Sequence, residues 1–519
     1  MTSIKEEMSW RDWLAVLGGA LGAFMAILDI QVTNASLRDI SGSLSLGVSE
    51  SGWISSSYLI AEIIIIPLSA FLSQAIGLRR YILWNSALFI IASMLCGLSN
   101  SLPTMILFRA MQGITGGTLI PLSFQIILTI MPAKQKNLGL TIFGLTVTLA
   151  PTLGPSFGGW LTDQYGWRSI FFINIFPGIL MLAALRQGLE DAKINFEKLK
   201  RIDLLSLITL VVGLSTMTYV LEEGPKSEWF DSEAIRICFL LAVVTLPLFI
   251  VRQLTCDRPL LKLTLFANRN FAIGTIITAV AGCALFSGIY SLSLYLAQVQ
   301  DYSAAEIGRV LMWVGLPQLL VLPFLPLLMK RVDLRILALF GLLLFAYSNF
   351  MNTNLNLNFS GEELKFSLWI RALGQPFFVI PLSAMAMALV KKEDAAEGSA
   401  IFNMMRNLGA SIGIALTTTF LITQQAGHFI QKSSRLSAFD NALVEKIYIS
   451  ERKFRGLGLD ATTAGRRAAK QVIEPILRDS VILSFVDIFM ILSIALVGCA
   501  IIILFLRKTD SSDAPEGLH

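Results

Sequence analysis

Histidine is almost missing from this chain. Only two occur in 519 residues: His428 opens a polar segment and His519 is the last residue. A proton relay through imidazoles inside a membrane is therefore excluded. The five cysteines, Cys96, Cys238, Cys256, Cys283 and Cys499, follow no metal or disulfide spacing and read as small apolar fillers. No G-x-x-x-x-G-K-[ST] loop occurs, so ATP held by this chain drives nothing, and an ion gradient is the remaining common energy source. No nucleophile–base pair, metal cluster or cofactor motif can be assembled, which argues against an enzyme and against any cofactor. Charge is scarce as well. Asp, Glu, Lys and Arg make up 15% of the chain, against about 25% in soluble domains.

What is present is apolar length: 55% of residues are hydrophobic. About 20 apolar residues suffice to cross a bilayer. Candidate spans lie at 13–33, 53–72, 81–98, 103–131, 138–159, 170–188, 204–221, 235–251, 271–297, 308–329, 335–352, 366–390, 398–422 and 481–506. The first is too long for a signal-peptide core, and no small-residue cleavage site follows it. Basic residues test the count, because cytoplasmic loops are enriched in them. With the N-terminus inside, inner loops hold Arg79 and Arg80; Lys134 and Lys136; Arg186, Lys193, Lys198, Lys200 and Arg201; Arg252, Arg258, Lys262 and Arg269; Lys330, Arg331 and Arg335; and Lys391 and Lys392. Arg507 and Lys508 follow the last span. Short outer loops hold little more than Arg38, Arg168, Lys226 and Lys365. This predicts an even number of spans with both termini in the cytoplasm. The net charge of +5 follows from that topology and calls for no nucleic-acid partner. Residues 424–480 are polar and read as a long outer loop. Within it Ala464, Ala468, Val472 and Ile476 mark one stripe of an amphipathic helix over 461–477. That segment is either a solvated cap or a docking surface for a periplasmic partner.

The stretch from Leu107 to Gly159 organises the rest. Arg109 lies in span four, and Ala150, Gly154 and Gly158 form a small-residue stripe along span five that lets another helix approach closely. The stretch has an echo. Arg109-Ala110-Met111 with Ile120-Pro121-Leu122-Ser123 is repeated as Arg371-Ala372-Leu373 with Ile380-Pro381-Leu382-Ser383, eight spans on, followed by Gly409 and Gly413. The simplest architecture is all-α: a six-helix bundle over 13–188, two inserted helices over 204–251, and a second six-helix bundle over 271–506 that includes the 424–480 loop. Parallel repeats of this kind place a substrate site between the halves near mid-membrane, with access alternating by rocking.

Six ionisable residues fall well inside spans: Asp29, Glu62, Arg109, Arg371, Arg406 and Asp487. Each is expensive there and marks a wet cavity or a partner. At about 1.5 Å per residue, Asp29 and Arg109 both lie roughly 6–9 Å below the outer surface, so they can pair. A buried acid whose hold on a proton depends on a nearby guanidinium can load it on one side and release it on the other. Asp29 is thus a candidate proton carrier tuned by Arg109; the alternative is a static structural pair. Glu62, near mid-membrane, is a second proton site, a partner for a cationic substrate, or a hydrogen-bonded packing residue. Gln31, Asn34, Gln112 and Gln125 either line the cavity with Glu62 or bond helix to helix. Arg371 and Arg406 read as stabilising groups between the halves.

These residues resemble the major facilitator superfamily, in particular its fourteen-span drug:proton antiporter branch of the EmrB/QacA type, EmrB-like subgroup, over nearly the whole chain. Leu28-Asp29 with Asn34 resembles the motif of the first span. Leu72 to Arg80, including Gln74, Gly77, Arg79 and Arg80, resembles the loop motif between spans two and three. There Gln74 stands where most of the superfamily has Asp, which weakens any Asp-centred latch. Leu107-Phe108-Arg109 through Gln112-Gly113 resembles the motif associated with proton coupling. Gly154-Pro155 with Gly158-Gly159 resembles the antiporter motif of span five. Trp167 to Asn174 and Arg406-Asn407-Leu408-Gly409 are further matches. The resemblance implies a major facilitator fold and proton-coupled efflux of amphipathic drugs or toxic compounds from a bacterial cell, across its inner membrane, with a periplasmic adaptor and a TolC-type outer-membrane channel as partners. A dedicated exporter of one siderophore- or fatty-acid-like metabolite, and a proton-independent uniporter, remain open on the same scaffold.

Overall fold

A computed structural model of the chain describes residues 8–191, 194–195, 203–256, 259–433 and 441–508. The basic residues Lys193, Lys198, Lys200, Arg201 and Arg258 lie outside the described residues, as do His519 and the side chains of Lys134 and Val472. Every regular element among the described residues is helical. The cause is general: a bilayer offers no hydrogen-bond partner, so each spanning segment must satisfy its own backbone.

The first bundle contains α1 (Trp10–Ala35), α2 (Val48–Ile76), α3 (Leu78–Leu98), α4 (Leu102–Ile130), α5 (Ala133–Tyr165) and α6 (Ser169–Gly188). Next come α7 (Leu204–Glu223) and α8 (Glu233–Thr255). The second bundle contains α9 (Arg269–Gln298), α10 (Ala304–Val321, continued by Leu325–Arg331), α11 (Leu334–Met351), α12 (Gly361–Met387) and α13 (Ala395–Ser433). A surface helix, α14 (Asn441–Gly456), leads to α15 (Ala461–Ile503). Local sequence sets several starts. Ser9 with Asp12, Ser303 with Glu306 and Ser360 with Glu363 form capping boxes that open α1, α10 and α12. The 55° break in α10 falls at Pro323, which lacks an N–H and disfavours helix in the residue before it.

Among the described residues twelve helices are long and apolar enough to span, and the bent α10 pair makes a thirteenth. The fourteenth long helix, α13, has 39 residues but is more polar, because it forms much of the wall between the halves. It carries Ser399, Asn403, Arg406 and Asn407 there. The supposed outer loop also differs from the sequence reading. Helix α13 runs on to Ser433 and α15 starts at Ala461, so both continue past the expected span ends as a helical extension with α14 packed on α15. The segment 424–433 is polar but contains no proline, so nothing stops the helix. Ala464 and Ala468 on the expected stripe are fully buried.

Described basic residues of alternate loops meet at one end of the molecule: Arg79 Nη2 donates to the Arg186 carbonyl, Lys262 pairs with Asp394, and Arg335 Nη1 donates to the Leu506 carbonyl. In that half the two bundles share one apolar core, which includes Phe124, Phe143, Met385 and Phe402. Phe124 stacks on Phe402 with ring centroids 5.8 Å apart, and Ser399 Oγ donates to the Pro121 carbonyl at 2.6 Å. Toward the far end each bundle has its own separate core: Val32, Ile54, Trp167 and Phe171 in the first, Leu292, Tyr295, Phe485 and Phe489 in the second. The halves are therefore sealed together at the basic end and independently cored at the other. At the basic end Asp203, just before α7, accepts from Arg252 Nε at 2.7 Å. That bond holds its carboxyl down to about 2 and ties α7 to α8.

Candidate functional site

Helices α1, α2, α3, α4 and α6 converge on one buried ion pair. Arg109 Nη1 lies 2.6 Å from Asp29 Oδ2, and neither side chain reaches solvent. Gln112, one turn along α4 from Arg109, bridges them: its Oε1 accepts from Arg109 Nη1 at 2.7 Å and its Nε2 donates to Asp29 Oδ1 at 2.8 Å. Asn174 Nδ2 on α6 donates to the same Oδ1 at 2.8 Å and to Ser93 Oγ at 3.0 Å. Arg109 Nε donates to the Ile54 carbonyl at 3.2 Å, and its Cζ sits 4.4 Å from the Tyr58 ring centroid. Removing two charges from water costs several kcal/mol each. Here the ion pair, the amide donors and the ring face offset that cost. Breaking the pair while both charges remain would restore it.

A second acid sits between the halves. Glu62 on α2 is buried, and its Oε1 accepts from Asn407 Nδ2 on α13 at 3.1 Å. Arg406 Nη2 reaches Asn407 Oδ1 at 3.4 Å, and Arg406 Nε has no hydrogen-bond partner. This cluster joins the two bundles near mid-span, whereas the Asp29 cage is internal to the first bundle.

The other candidates are dispersed. Gln31 is half-buried; a Cβ at Gly154 would lie 2.3 Å from its Cβ. Asn34 is exposed and accepts from Ser55 Oγ at 2.6 Å. Gln125 accepts from Ser73 Oγ at 3.3 Å, toward the basic end. Gly77 adopts φ +95° between α2 and α3, a left-handed backbone that favours glycine. Half-buried Gln74 lies just before it. Arg79 Nη2 donates to the Arg186 carbonyl at 2.9 Å and Arg80 pairs with Asp191 at 2.8 Å, so this turn is tied to the end of α6. Pro155 lies inside α5 together with Pro151. Gly159 is buried beside Gly158, whose missing side chain lets α5 meet the backbone of Val32. The glycine stripe therefore seats α1 within its own bundle and does not face the opposite half. Gly409 and Gly413 seat α9 against α13 in the same way. Asp487 Oδ2 lies 2.8 Å from His428 Nε2, linking α13 and α15.

Asn174, Ser93, Tyr58 and Asn407 had no role assigned from sequence. Asn174 and Asn407 stand inside two of the motifs named above, which was the available signal. Ser93 and Tyr58 carry no such mark. Among the described residues no cluster of three or more His, Cys, Asp or Glu is placed to hold a metal.

Comparison with known proteins accords with this architecture. The family model described as Major Facilitator Superfamily matches residues 19–414. The chain is 31% identical over 510 residues to the colistin resistance protein EmrB of Acinetobacter baumannii, covering 97% of this chain and 98% of that one. It is 32% identical over 457 residues to the multidrug export protein EmrB of Escherichia coli K12, covering 87% and 88%. Its fold is similar to that of the solved proton:xylose symporter XylE, with TM-score 0.59, 14% identity and 97% of each chain covered. This multi-pass membrane chain belongs to the major facilitator superfamily and is a transporter.

Proposed function

We propose that this chain exports amphipathic drugs or toxic compounds across a bacterial inner membrane in exchange for protons, as the pump of a tripartite system. The observation that carries the proposal is the buried Asp29–Arg109 pair at 2.6 Å. If the helices around it shift and the pair separates, two uncompensated charges remain in a dry interior, at a cost of several kcal/mol. Binding a proton at an Asp29 carboxylate oxygen removes one of those charges. Proton occupancy is thus coupled to helix position, which is what exchange requires. No cofactor enters this scheme. The names of the relatives, which speak of multidrug export and colistin resistance, support the choice of cargo.

The excess of basic residues in the loops at one end supports reading that end, and both termini, as cytoplasmic. The shared apolar core at that end then closes the cytoplasmic side, and the separate cores of the far halves leave the route open outward. Glu62, with Asn407 and Arg406 across the mid-membrane boundary, is the proposed contact for cargo. Gln31 and Asn34 stand nearer the outer mouth. The helical extension of α13, α14 and α15 at the far end is the proposed seat of a periplasmic adaptor, which would pass cargo to a TolC-type channel.

The test is Asp29→Asn in vesicles with an imposed pH gradient. Drug-driven proton movement should fall at least about tenfold while drug binding persists. Undiminished proton movement in that variant would end the proposal. Cargo accumulation in the wild type that ignores collapse of the pH gradient would point instead to a uniporter.

A further inference from the structure

Arg371 in α12 repeats the position of Arg109, yet its surroundings differ. Its side chain is as deeply buried, at 1% exposure. Nη2 donates to the Leu285 carbonyl at 2.7 Å and Cζ lies 4.9 Å from the Phe345 ring centroid. Nε has no hydrogen-bond partner, and no carboxylate pairs with this guanidinium among the described residues. The repeat shows where an acid would come from. Asp29 is the twentieth residue of α1, and the twentieth of α9 is Gly288. A Cβ at Gly288 would lie 2.6 Å from Arg371 Nη1. The second bundle thus keeps the cation and lacks the acid. Three residues along from Gly288, the hydroxyl of Ser291 is fully buried and without a hydrogen-bond partner.

A guanidinium in an apolar interior is costly unless it is paired. One carbonyl and one ring face supply partial charge only. We propose that Arg371 holds a small monovalent inorganic anion of the chloride class inside the second bundle, at its unpartnered Nε edge. Size and charge both select this class. Arg371 is only 1% exposed, so a drug-sized carboxylate does not reach its guanidinium. One negative charge neutralises the guanidinium, whereas a divalent phosphate would overshoot. The unpartnered hydroxyl of Ser291 on the same stretch of α9 offers a further donor. In this reading the anion is a fixed part of the second bundle and takes over the role that Asp29 fills in the first. The inference does not depend on proton coupling.

The experiment is thermal unfolding of the purified full chain in chloride and in gluconate, an anion too large for the site, at equal ionic strength. Wild type should melt about 2 °C or more higher in chloride, since a ligand that binds only the folded state raises its stability. Arg371→Gln should abolish that difference. Gly288→Asp supplies a carboxylate beside Nη1, the far end of a side chain that can give way. This variant should lose the chloride dependence and melt in gluconate at least as high as wild type does. Bromide-soaked crystals should show an anomalous peak within hydrogen-bond distance of Arg371. Equal melting of the wild type in both salts would overturn the proposal. So would a chloride shift that survives Gly288→Asp, which remains decisive should Arg371→Gln fail to fold.

Discussion

The two halves meet along two seams related by the internal repeat, and the seams are built differently. Between α5 and α10 the contact is close and uncharged. Ser156 Oγ donates to the Gly308 carbonyl at 2.6 Å, and a Cβ at Gly308 would lie 2.5 Å from Ser156 Cα. Gly315 rests on Leu149 and Thr152. Between α2 and α13 the contact is polar, with Glu62 bonded to Asn407 and Arg406 beside it. That seam is also bridged at its far end by the turn joining α7 and α8. The lesson is a division of labour. Small residues let one pair of helices slide while only the single Ser156–Gly308 hydrogen bond is exchanged. On the other side any movement must exchange hydrogen bonds around a buried acid, so that seam is where ligand or proton occupancy can bias the position of the halves.

The largest effect is expected from overfilling the close seam. Gly308→Leu places a side chain against the backbone of Ser156, where nothing flexible can yield. Overpacking of this kind costs about 1–3 kcal/mol, and transport in vesicles should drop about tenfold or more. Gly427→Ala is the control, because a Cβ there meets nothing within 4 Å. Equal transport in the two variants would show that the α5–α10 contact is not a moving seam.

A smaller and more selective effect is expected at the polar seam. Glu62→Gln keeps an acceptor for Asn407 but removes the charge. Export of cationic drugs should fall by roughly tenfold and that of neutral drugs by less, since a hydrogen bond to a charged group is worth about 1.5–3 kcal/mol. Pairing it with Asn407→Leu in a double-mutant cycle tests whether the two act together. Equal loss for cationic and neutral cargo would argue against direct pairing with substrate.

Much of this was legible in the sequence, for physical reasons. A span must be long, apolar and helical, so most of the helices could be read from composition alone. The repeat around Arg109 and Arg371 survives as a string of letters. Asp29 and Arg109 could be matched by depth because helical rise is fixed. Other features depend on tertiary direction. The spacing of Gly154 and Gly158 marks a smooth face but not the neighbour it serves, and that neighbour is α1. A single Asn174 or Asn407 has no periodicity, so its aim is visible only once α6 and α13 are in place. The extension of α13 past Gln424 was hidden because polar composition resembles a loop, whereas helix ends are set by caps and breakers.

The gentlest test concerns what bridges the polar seam. At the turn between α7 and α8, Trp229 Nε1 donates to Thr419 Oγ1 on α13 at 2.8 Å, and Ser56 Oγ on α2 donates to Glu223 Oε1 at 3.1 Å. Trp53 stacks on Tyr219 with centroids 5.6 Å apart. One short turn therefore grips both halves. Its backbone is strained to do so: Glu228 and Trp229, neither of them glycine, have φ of 54° and 56°, a conformation that persists only where surrounding contacts enforce it. Trp229→Phe keeps the ring and removes the donor, a loss of about 1 kcal/mol. The far ends of α2 and α13 should then separate more often. Spin labels at exposed Asp163 in the first half and Asn356 in the second should report a larger population at long distance. Thr419→Val should produce the same shift, and the double variant should add nothing to it. An unchanged distance distribution in all three would show that α7 and α8 ride on the seam without restraining it.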